Sequence, residues 1–302
     1  MQLRTLKPVS MKEMLAQVRA LPLYTHQSAY LWQMCLSVGN QFCDAVVRAG
    51  YLSYEQMFSA ACRYCIGASK RGGVIFWQID HEGRVHDGKV MYYLPDCHRN
   101  KDKSAHPTWV SALLAKRNGN PKGTSSHCLF GLHQLTTFNL STDSKLSTLN
   151  SQLEDSSQFS ILNSQFKEDS KFKNNFQFSI LNSQFKEDSQ LSSPVAIVEA
   201  EKTAFILSEL YPEYIWLASG GLSEVQPEKF RPLRGHRVVM FPDTDPDGIA
   251  FRCWNNAARE VMRSVFWEDS PPIRVSPLLE LKATAAQKHR KIDILDFLFE
   301  QQ

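Results

Sequence analysis

The last third of the chain alternates short apolar runs with amphipathic stretches, and this alternation constrains the fold more than any other feature. Strand-like apolar runs lie at 194–198, 214–219, 236–242 and near 273–275, and stretches with helical periodicity lie at 201–211, 248–265 and 292–299. Parallel strands need long crossover connections, which are usually helices. The pattern therefore predicts an α/β domain over residues 194–302, with a parallel sheet and right-handed crossovers.

The residues before this domain are organised differently. Helical periodicity predicts helices over 11–19, around 30–38, near 42–49 and from Tyr54. After Gly72, two β-rich runs flank a turn at 81–83, which predicts a hairpin. The β-containing unit is expected to continue through 108–116 to Leu135. We therefore predict a helical region over 1–60 and an α+β subdomain over 61–135.

Residues 136–193 form a segment of distinct composition, rich in Ser, Asn, Gln, Lys and Phe. The sequence QFSILNSQFKEDS at 158–170 recurs unchanged at 177–189. Two clean copies are too few to bury a core by stacking. We predict a flexible insert, interpreted either as a tolerated loop expansion or as a partner-binding motif.

Composition excludes several classes of protein. The chain has 302 residues, 43% of them hydrophobic, with a net charge of +3, as expected for a globular protein. No run approaches eighteen consecutive apolar residues, so no membrane span is predicted. The seven scattered cysteines and the absence of an apolar N-terminal run favour a cytoplasmic protein. Residues 63–122 hold eleven Lys and Arg against five Asp and Glu, a surplus that could face phosphate groups.

Acidic residues follow two of the predicted strands. Glu199 follows the run at 194–198, and Asp243, Asp245 and Asp247 alternate in the loop DTDPDG after the run at 236–242. Ligands of open parallel sheets bind beyond the carboxyl ends of the strands, so these side chains are expected to meet there. Their mutual repulsion favours a hard divalent cation, Mg²⁺ or Mn²⁺.

Other interpretations of the same residues exist. An aspartate between a strand and a helix often caps the helix, and Glu199 could favourably meet a helix dipole. The loop DTDPDG resembles the start of an EF-hand, but the position of the bidentate glutamate holds Trp254. A phosphatase of the haloacid dehalogenase type also has D-x-D after a strand, but would leave Glu199 without a role. The pair Cys62 and Cys65 has zinc-ligand spacing without a second close pair.

Several motifs, in this order, resemble the toprim domain of bacterial primases and topoisomerases. They are VAIVEAEKTAFIL, WLASGGLS and RVVMFPDTDPDGIAF. Upstream, GVIFWQIDHEGRVHDGKVM and FGLHQL resemble the primase segment before toprim, and RKIDILDFL is similar to the tail of plasmid and phage primases. The likeness covers roughly residues 50–300. Two departures are Ala200, where the family usually has glycine, and TWVSALL at 108–114, which lacks the family's basic and amide residues.

The resemblance implies a Rossmann-like toprim domain behind an α+β primase-type subdomain. It implies a Mg²⁺-dependent nucleotidyltransferase, a DNA primase that makes RNA primers on single-stranded DNA for a mobile element. Asp243 and Asp245 would hold the metal, Glu199 would complete the metal shell or act as acid and base, and Asp247 would assist.

Basic side chains are expected to bind the substrate. Lys202 could reach a phosphate or remain a surface charge. Lys70, Arg71, Arg84 and Lys89 are candidates for a single-strand groove, with Trp77 either stacking on bases or packing in the core. No P-loop occurs, so a helicase would be a separate partner. Two alternatives stay open, a non-catalytic nucleic-acid-binding module and a toprim nuclease.

Overall fold

The computed structural model describes residues 5–6, 9–10, 39–117, 124–125, 127–135, 194–266 and 270–300. The helices predicted over 11–19 and 30–38, and the insert 136–193, lie outside the described residues. Residues 1–135 and 193–302 belong to one compact unit, and residues 136–192 belong to another. The predicted α+β and α/β parts therefore share one unit.

Two capped helices lead into the β structure. Helix α1 spans Gln41–Arg48, and its first amides donate to the side chain of Asn40. Helix α2 spans Tyr54–Tyr64 and begins with a capping box between Ser53 and Gln56. Both helices match the predicted positions. Two strands that were not predicted, β1 (Thr5–Leu6) and β2 (Val9–Ser10), lie in the region expected to be helical.

An antiparallel sheet follows the helices. It contains β2 and four further strands, β3 (Gly67–Ala68), β4 (Val74–Ile79), β5 (Arg84–Met91) and β6 (Thr108–Trp109). The strand order is β2-β5-β4-β3, and β6 also pairs with β5. Strands β4 and β5 form the predicted hairpin, which turns at Gly83 with φ +78°. Only the first two residues of the 108–116 segment are strand, because helix α3 (Val110–Arg117) begins at once. Strand β7 (Thr124–Ser125) pairs in parallel with β1.

The second sheet is parallel, as the alternation predicted. Its strands are β8 (Val195–Val198), β9 (Ile215–Ala218), β10 (Val238–Phe241) and β11 (Arg274–Val275), in the order β11-β10-β8-β9. The first three are fully buried, which explains their continuous apolar composition. The helices are α4 (Glu201–Leu210), α5 (Ile249–Ser264), α6 (Leu278–Lys282), α7 (Ala285–Arg290) and α8 (Ile294–Glu300), and Pro227–Leu233 is a 3-10 segment.

Specific contacts join the two sheets within this unit. Phe130 and Ala218 exchange backbone hydrogen bonds of 2.9 and 3.1 Å, which adds the 127–135 segment to the edge of β9. The buried Tyr64 hydroxyl lies 2.7 Å from the carbonyl oxygen of Trp216. Phe42 packs edge-on against Phe205 of α4. No helix in the described part of the chain is long and apolar enough to cross a membrane.

Candidate acidic site at the edge of the parallel sheet

Glu199 and Asp243 lie at the same edge of the parallel sheet. Strands β8 and β10 are direct neighbours, with Val198 opposite Phe241. Glu199 follows Val198 immediately, and Asp243 comes two residues after Phe241. Because parallel strands end at a common edge, the two carboxylates are brought to one side of the sheet, as predicted.

The C-terminal segment brings two further carboxylates to this edge. The Thr244 backbone N–H donates to the Ile292 carbonyl oxygen at 3.0 Å, which ties the segment to the loop after β10. Asp293 caps α8 by accepting the Asp296 N–H at 2.8 Å, and it also accepts a hydrogen bond from the Thr203 hydroxyl of α4. Asp293 and Asp296 were not among the predicted site residues. The signal for them was the primase-like tail RKIDILDFL.

Electrostatics show that the four carboxylates influence one another. Burial, with the charges of Asp293 and Glu199, raises the pKa of Asp243 well above its usual value. Burial also raises the pKa of Glu199, although a hydrogen bond from the Leu222 backbone N–H and the Lys89 ammonium oppose this rise. The pKa of Asp296 is raised by burial and by Asp293. Negative charge is therefore concentrated here beyond what the surrounding side chains compensate.

Lys202 lies inside this group of carboxylates. Its side chain is only 14% exposed, and Nζ lies 4.0 Å from Asp296 Oδ1. The ammonium also faces the Tyr51 ring, 5.8 Å from the ring centre. Burial lowers the pKa of Lys202, but the charges of Asp293 and Asp296 outweigh burial and raise it. Lys202 is thus a counter-charge of the acidic group.

Asp245 has a different role from Asp243. Its Oδ1 accepts the backbone N–H groups of Asp247 and Ile249 at 3.0 Å each, and its Oδ2 accepts that of Ala250 at 2.7 Å. Burial raises the pKa of Asp245, but these three hydrogen bonds outweigh burial and lower it. Asp245, predicted as a metal ligand, accepts the first N–H groups of α5, whose N-cap residue is Gly248, and so stabilises the helix N-terminus as the alternative interpretation of the motif expects. Asp247 is exposed.

Gly248 completes the turn into α5. It adopts φ +63°, a left-handed conformation that favours glycine. This conformation forms the tight turn between the loop and the helix. The loop DTDPDG therefore directs Asp243 to the sheet edge and Asp245 to the helix N-terminus.

The basic residues predicted for a single-strand groove have different environments. Lys89 Nζ lies 3.0 and 3.1 Å from the two carboxylate oxygens of the buried Glu201. Arg84 forms ion pairs with Asp80 and Glu82. Of the predicted set, Lys70 and Arg71 remain exposed and apart from carboxylates in the contacts that the structure describes. Trp77 is buried in the antiparallel sheet, so it is a core residue.

The donor set can be tested against the predicted divalent cation. Carboxylate oxygens are the ligands that Mg²⁺ prefers, and a cation would relieve the repulsion that raises the pKa of Asp243. In the described part of the chain, no group of three or more His, Cys, Asp or Glu side chains is arranged so that it could hold a metal ion. The expectation of a divalent cation at this site therefore rests on the chemistry and charge of the carboxylates.

Comparison with known proteins gives a family for the chain. Residues 40–145 and 149–244 match the model of DUF6371, a domain of unknown function. The chain belongs to the DUF6371 family. The DUF6371 match contains Glu199 and Asp243 and ends at Thr244, before the segment that supplies Asp293. No curated protein and no solved structure matches the chain.

Proposed function

We propose that this DUF6371 protein performs metal-dependent phosphoryl transfer on nucleic acid, and specifically that it is a toprim-type primase that makes RNA primers on single-stranded DNA. The observation that carries the proposal is that Glu199 and Asp243 follow neighbouring strands at the carboxyl edge of a parallel sheet, where the charges of Asp293 and Glu199 raise the pKa of Asp243. The order of motifs along the chain supports the toprim assignment. The antiparallel sheet ahead of the parallel one supports a primase-type N-terminal subdomain.

In this proposal the carboxylates of Glu199, Asp243 and Asp293 hold Mg²⁺. A bound ion would supply positive charge that neutralises the phosphates of the substrate. Asp245 positions the loop that carries Asp243, because its hydrogen bonds fix the start of α5. Thr203 holds the Asp293 carboxylate in place from α4.

A basic surface next to the acidic group supplies the contact with the nucleic-acid backbone. Five exposed residues form this basic rim: Lys70, Arg71, Arg99, Lys101 and Lys103. Arg71 donates to the Ser104 carbonyl oxygen at 3.2 Å and so joins the two loops that carry the rim. The loop that contains Arg99 also carries His98, which is near enough to Asp296 to help lower its pKa against the effect of burial. Lysine and arginine in such a position would follow the phosphates of a single strand.

The test is a primer-synthesis assay with the full chain. The protein is incubated with single-stranded DNA, ribonucleotides including a labelled one, and Mg²⁺ or Mn²⁺. We expect short labelled products from the wild type and their loss in Asp243→Asn. Asp44→Asn, which makes the same chemical change at an exposed position of α1, is the matched control and should retain the products.

The same assay distinguishes the other candidate functions. Metal-dependent shortening of end-labelled DNA without new products would favour a toprim nuclease. Binding of DNA with neither extension nor cleavage would favour a non-catalytic module. Equal product yields from the wild type and Asp243→Asn would overturn the assignment of the acidic group as the catalytic site.

A further inference from the structure

A groove lies along the flank of the parallel sheet, between helix α5 and the segment that contains the edge strand β11. Its volume is about 510 Å³. The lining residues of the helix include Asn255, Arg259 and Met262, and those of the strand segment are Ile273 and Val275. The helix positions recur every three or four residues and so share one face of α5, and Ile273 and Val275 share one face of the strand. Two regular elements therefore form the walls of the groove.

The floor of the groove is aliphatic. Met262, Ile273 and Val275 pack against the core of the parallel sheet but stay partly exposed, and Ala258, which also lines the groove, is buried. Methionine adapts to side chains of different shapes, so this floor suits a large apolar side chain of a partner. None of the seven described residues that line the groove is aromatic, so no ring is present on which a nucleobase could stack.

Two arginines form the rim of the groove. Arg259 and Arg263 lie one helical turn apart on α5, and both are exposed. Arg263 pairs with Glu260, but its side chain is 78% exposed, and such surface pairs contribute little. No acidic side chain lines the groove in the described part of the chain. Each guanidinium can bind a carboxylate through two parallel hydrogen bonds, so the rim is complementary to acidic side chains.

A backbone N–H group in the wall of the groove has a weak partner. The Ile273 N–H donates to Met262 Sδ at 3.3 Å, and a thioether sulfur is a weak acceptor. Strand β11 lies at the edge of the described sheet, and the Ser276 N–H donates to the Met240 carbonyl oxygen of β10 at 2.8 Å. Because successive N–H groups of a strand point in opposite directions, those of Val275 and Ile273 point away from β10. An extended peptide along this edge offers carbonyl oxygens as stronger acceptors.

We propose that this groove binds a short acidic segment of a partner protein. A large apolar side chain of the segment lies on the floor, and its carboxylates bind Arg259 and Arg263. A second copy of this chain does not fit, because a two-fold interface would bring the same positive rim against itself. A nucleic-acid strand would find the arginines but no aromatic surface for its bases. The groove begins at Asn255, well inside α5, so peptide binding does not depend on the acidic group or on the proposed function.

The test selects peptides that bind the full chain. Short random peptides displayed on phage are selected on the immobilised wild type, and fluorescence anisotropy measures the affinity of the enriched peptides. We expect enriched sequences to combine aspartate or glutamate with a large apolar residue. Arg259→Glu replaces attraction by repulsion, Met262→Gln removes apolar contact at similar length, and each should weaken binding about tenfold. Arg48→Glu, the same charge reversal at an exposed position of α1, is the matched control and should retain the affinity.

Several outcomes would overturn the inference. They are a selection that enriches no peptide, enriched peptides without acidic residues, and affinities that Arg259→Glu and Met262→Gln leave unchanged. Binding of a single-stranded DNA oligonucleotide that displaces the peptide and is lost in Arg259→Glu would assign the groove to nucleic acid instead. Circular dichroism checks the fold of each variant, and Arg259→Glu, at an exposed position, decides the question even if Met262→Gln does not fold.

Discussion

Lys89 Nζ lies 3.0 Å from Glu201 Oε1, and this ion pair connects strand β5 of the antiparallel sheet to helix α4 of the parallel one. Glu201 is only 3% exposed, and the Lys89 side chain is 16% exposed. The same ammonium donates to the Gly220 carbonyl oxygen after β9. One lysine therefore fixes the relative position of three elements next to the acidic group.

Replacing Lys89 should destabilise the protein. Lys89→Met leaves the buried Glu201 carboxylate without a counter-charge, and we expect a loss of about 3 kcal/mol in the free energy of unfolding. The double variant Lys89→Met with Glu201→Met also removes the unpaired buried carboxylate, and it should recover most of the lost free energy of unfolding. Urea denaturation of the wild type, Lys89→Met, Glu201→Met and the double variant measures the coupling. Equal losses in Lys89→Met and the double variant would contradict this account.

The second prediction concerns the hydrogen bonds that Asp245 accepts from the first residues of α5. Asp245→Ala removes the acceptor of three backbone N–H groups and should cost about 1–2 kcal/mol in the free energy of unfolding. Asp245→Asn should cost less than Asp245→Ala, because its amide oxygen can still accept at one of the two oxygen positions, whereas the amide NH2 cannot accept at the other. Urea denaturation checks the difference. Equal losses of free energy of unfolding in the two variants would show that Asp245 does not stabilise the protein through these hydrogen bonds.

The sequence was sufficient to predict the parallel sheet and the positions of Glu199 and Asp243. Buried parallel strands have continuous apolar composition, and β8, β9 and β10 stand out for this reason. An acidic residue directly after such a strand must lie at the carboxyl edge, so adjacency in sequence determined position in space. The hairpin of β4 and β5 could also be predicted from the sequence, because its two strands and its turn are adjacent in the chain.

The remaining parts of the site depend on contacts that are remote in sequence. Lys89 and Glu201 are 112 residues apart, and Thr203 and Asp293 are 90 apart. No periodicity links such pairs, so the sequence predicted Lys89 for a single-strand groove and assigned Asp293 no role. The spacing of Asp243 and Asp245 was also ambiguous, because a metal ligand and a helix cap occur in the same strand-to-helix loop.

Asp80 should make the stability of the protein depend on pH. Burial raises the pKa of Asp80, but hydrogen bonds with His86 and Arg84 outweigh burial, and its pKa lies below the ordinary value. A carboxyl with a lowered folded-state pKa stabilises the fold above its unfolded pKa of about 3.9, and this contribution is lost as the pH falls through the folded value.

We therefore compare Asp80→Asn with the wild type by urea denaturation between pH 6 and about pH 2.5. The stability difference should be largest and constant above about pH 5 and should shrink as the pH falls below about 4. Glu213→Gln, at an exposed turn, is the control and should show little change across this range. A difference for Asp80→Asn that is independent of pH would contradict the assigned hydrogen bonds.

Substitution by alanine should cost different amounts of stability at the two adjacent glycines after β9. Gly220 has φ +89°, and a Cβ there would lie 3.3 Å from Glu201 Oε1 and 3.9 Å from Lys89 Nζ. Gly221 has φ 163°, an extended conformation that any residue adopts, and its nearest neighbour would be Glu224 Cγ at 3.5 Å. Gly220→Ala should therefore cost about 1–3 kcal/mol, and Gly221→Ala well under 1 kcal/mol. Thermal and urea unfolding of both variants measure the two costs. An equal cost at the two positions would show that neither the left-handed conformation nor the nearby ion pair requires glycine at position 220.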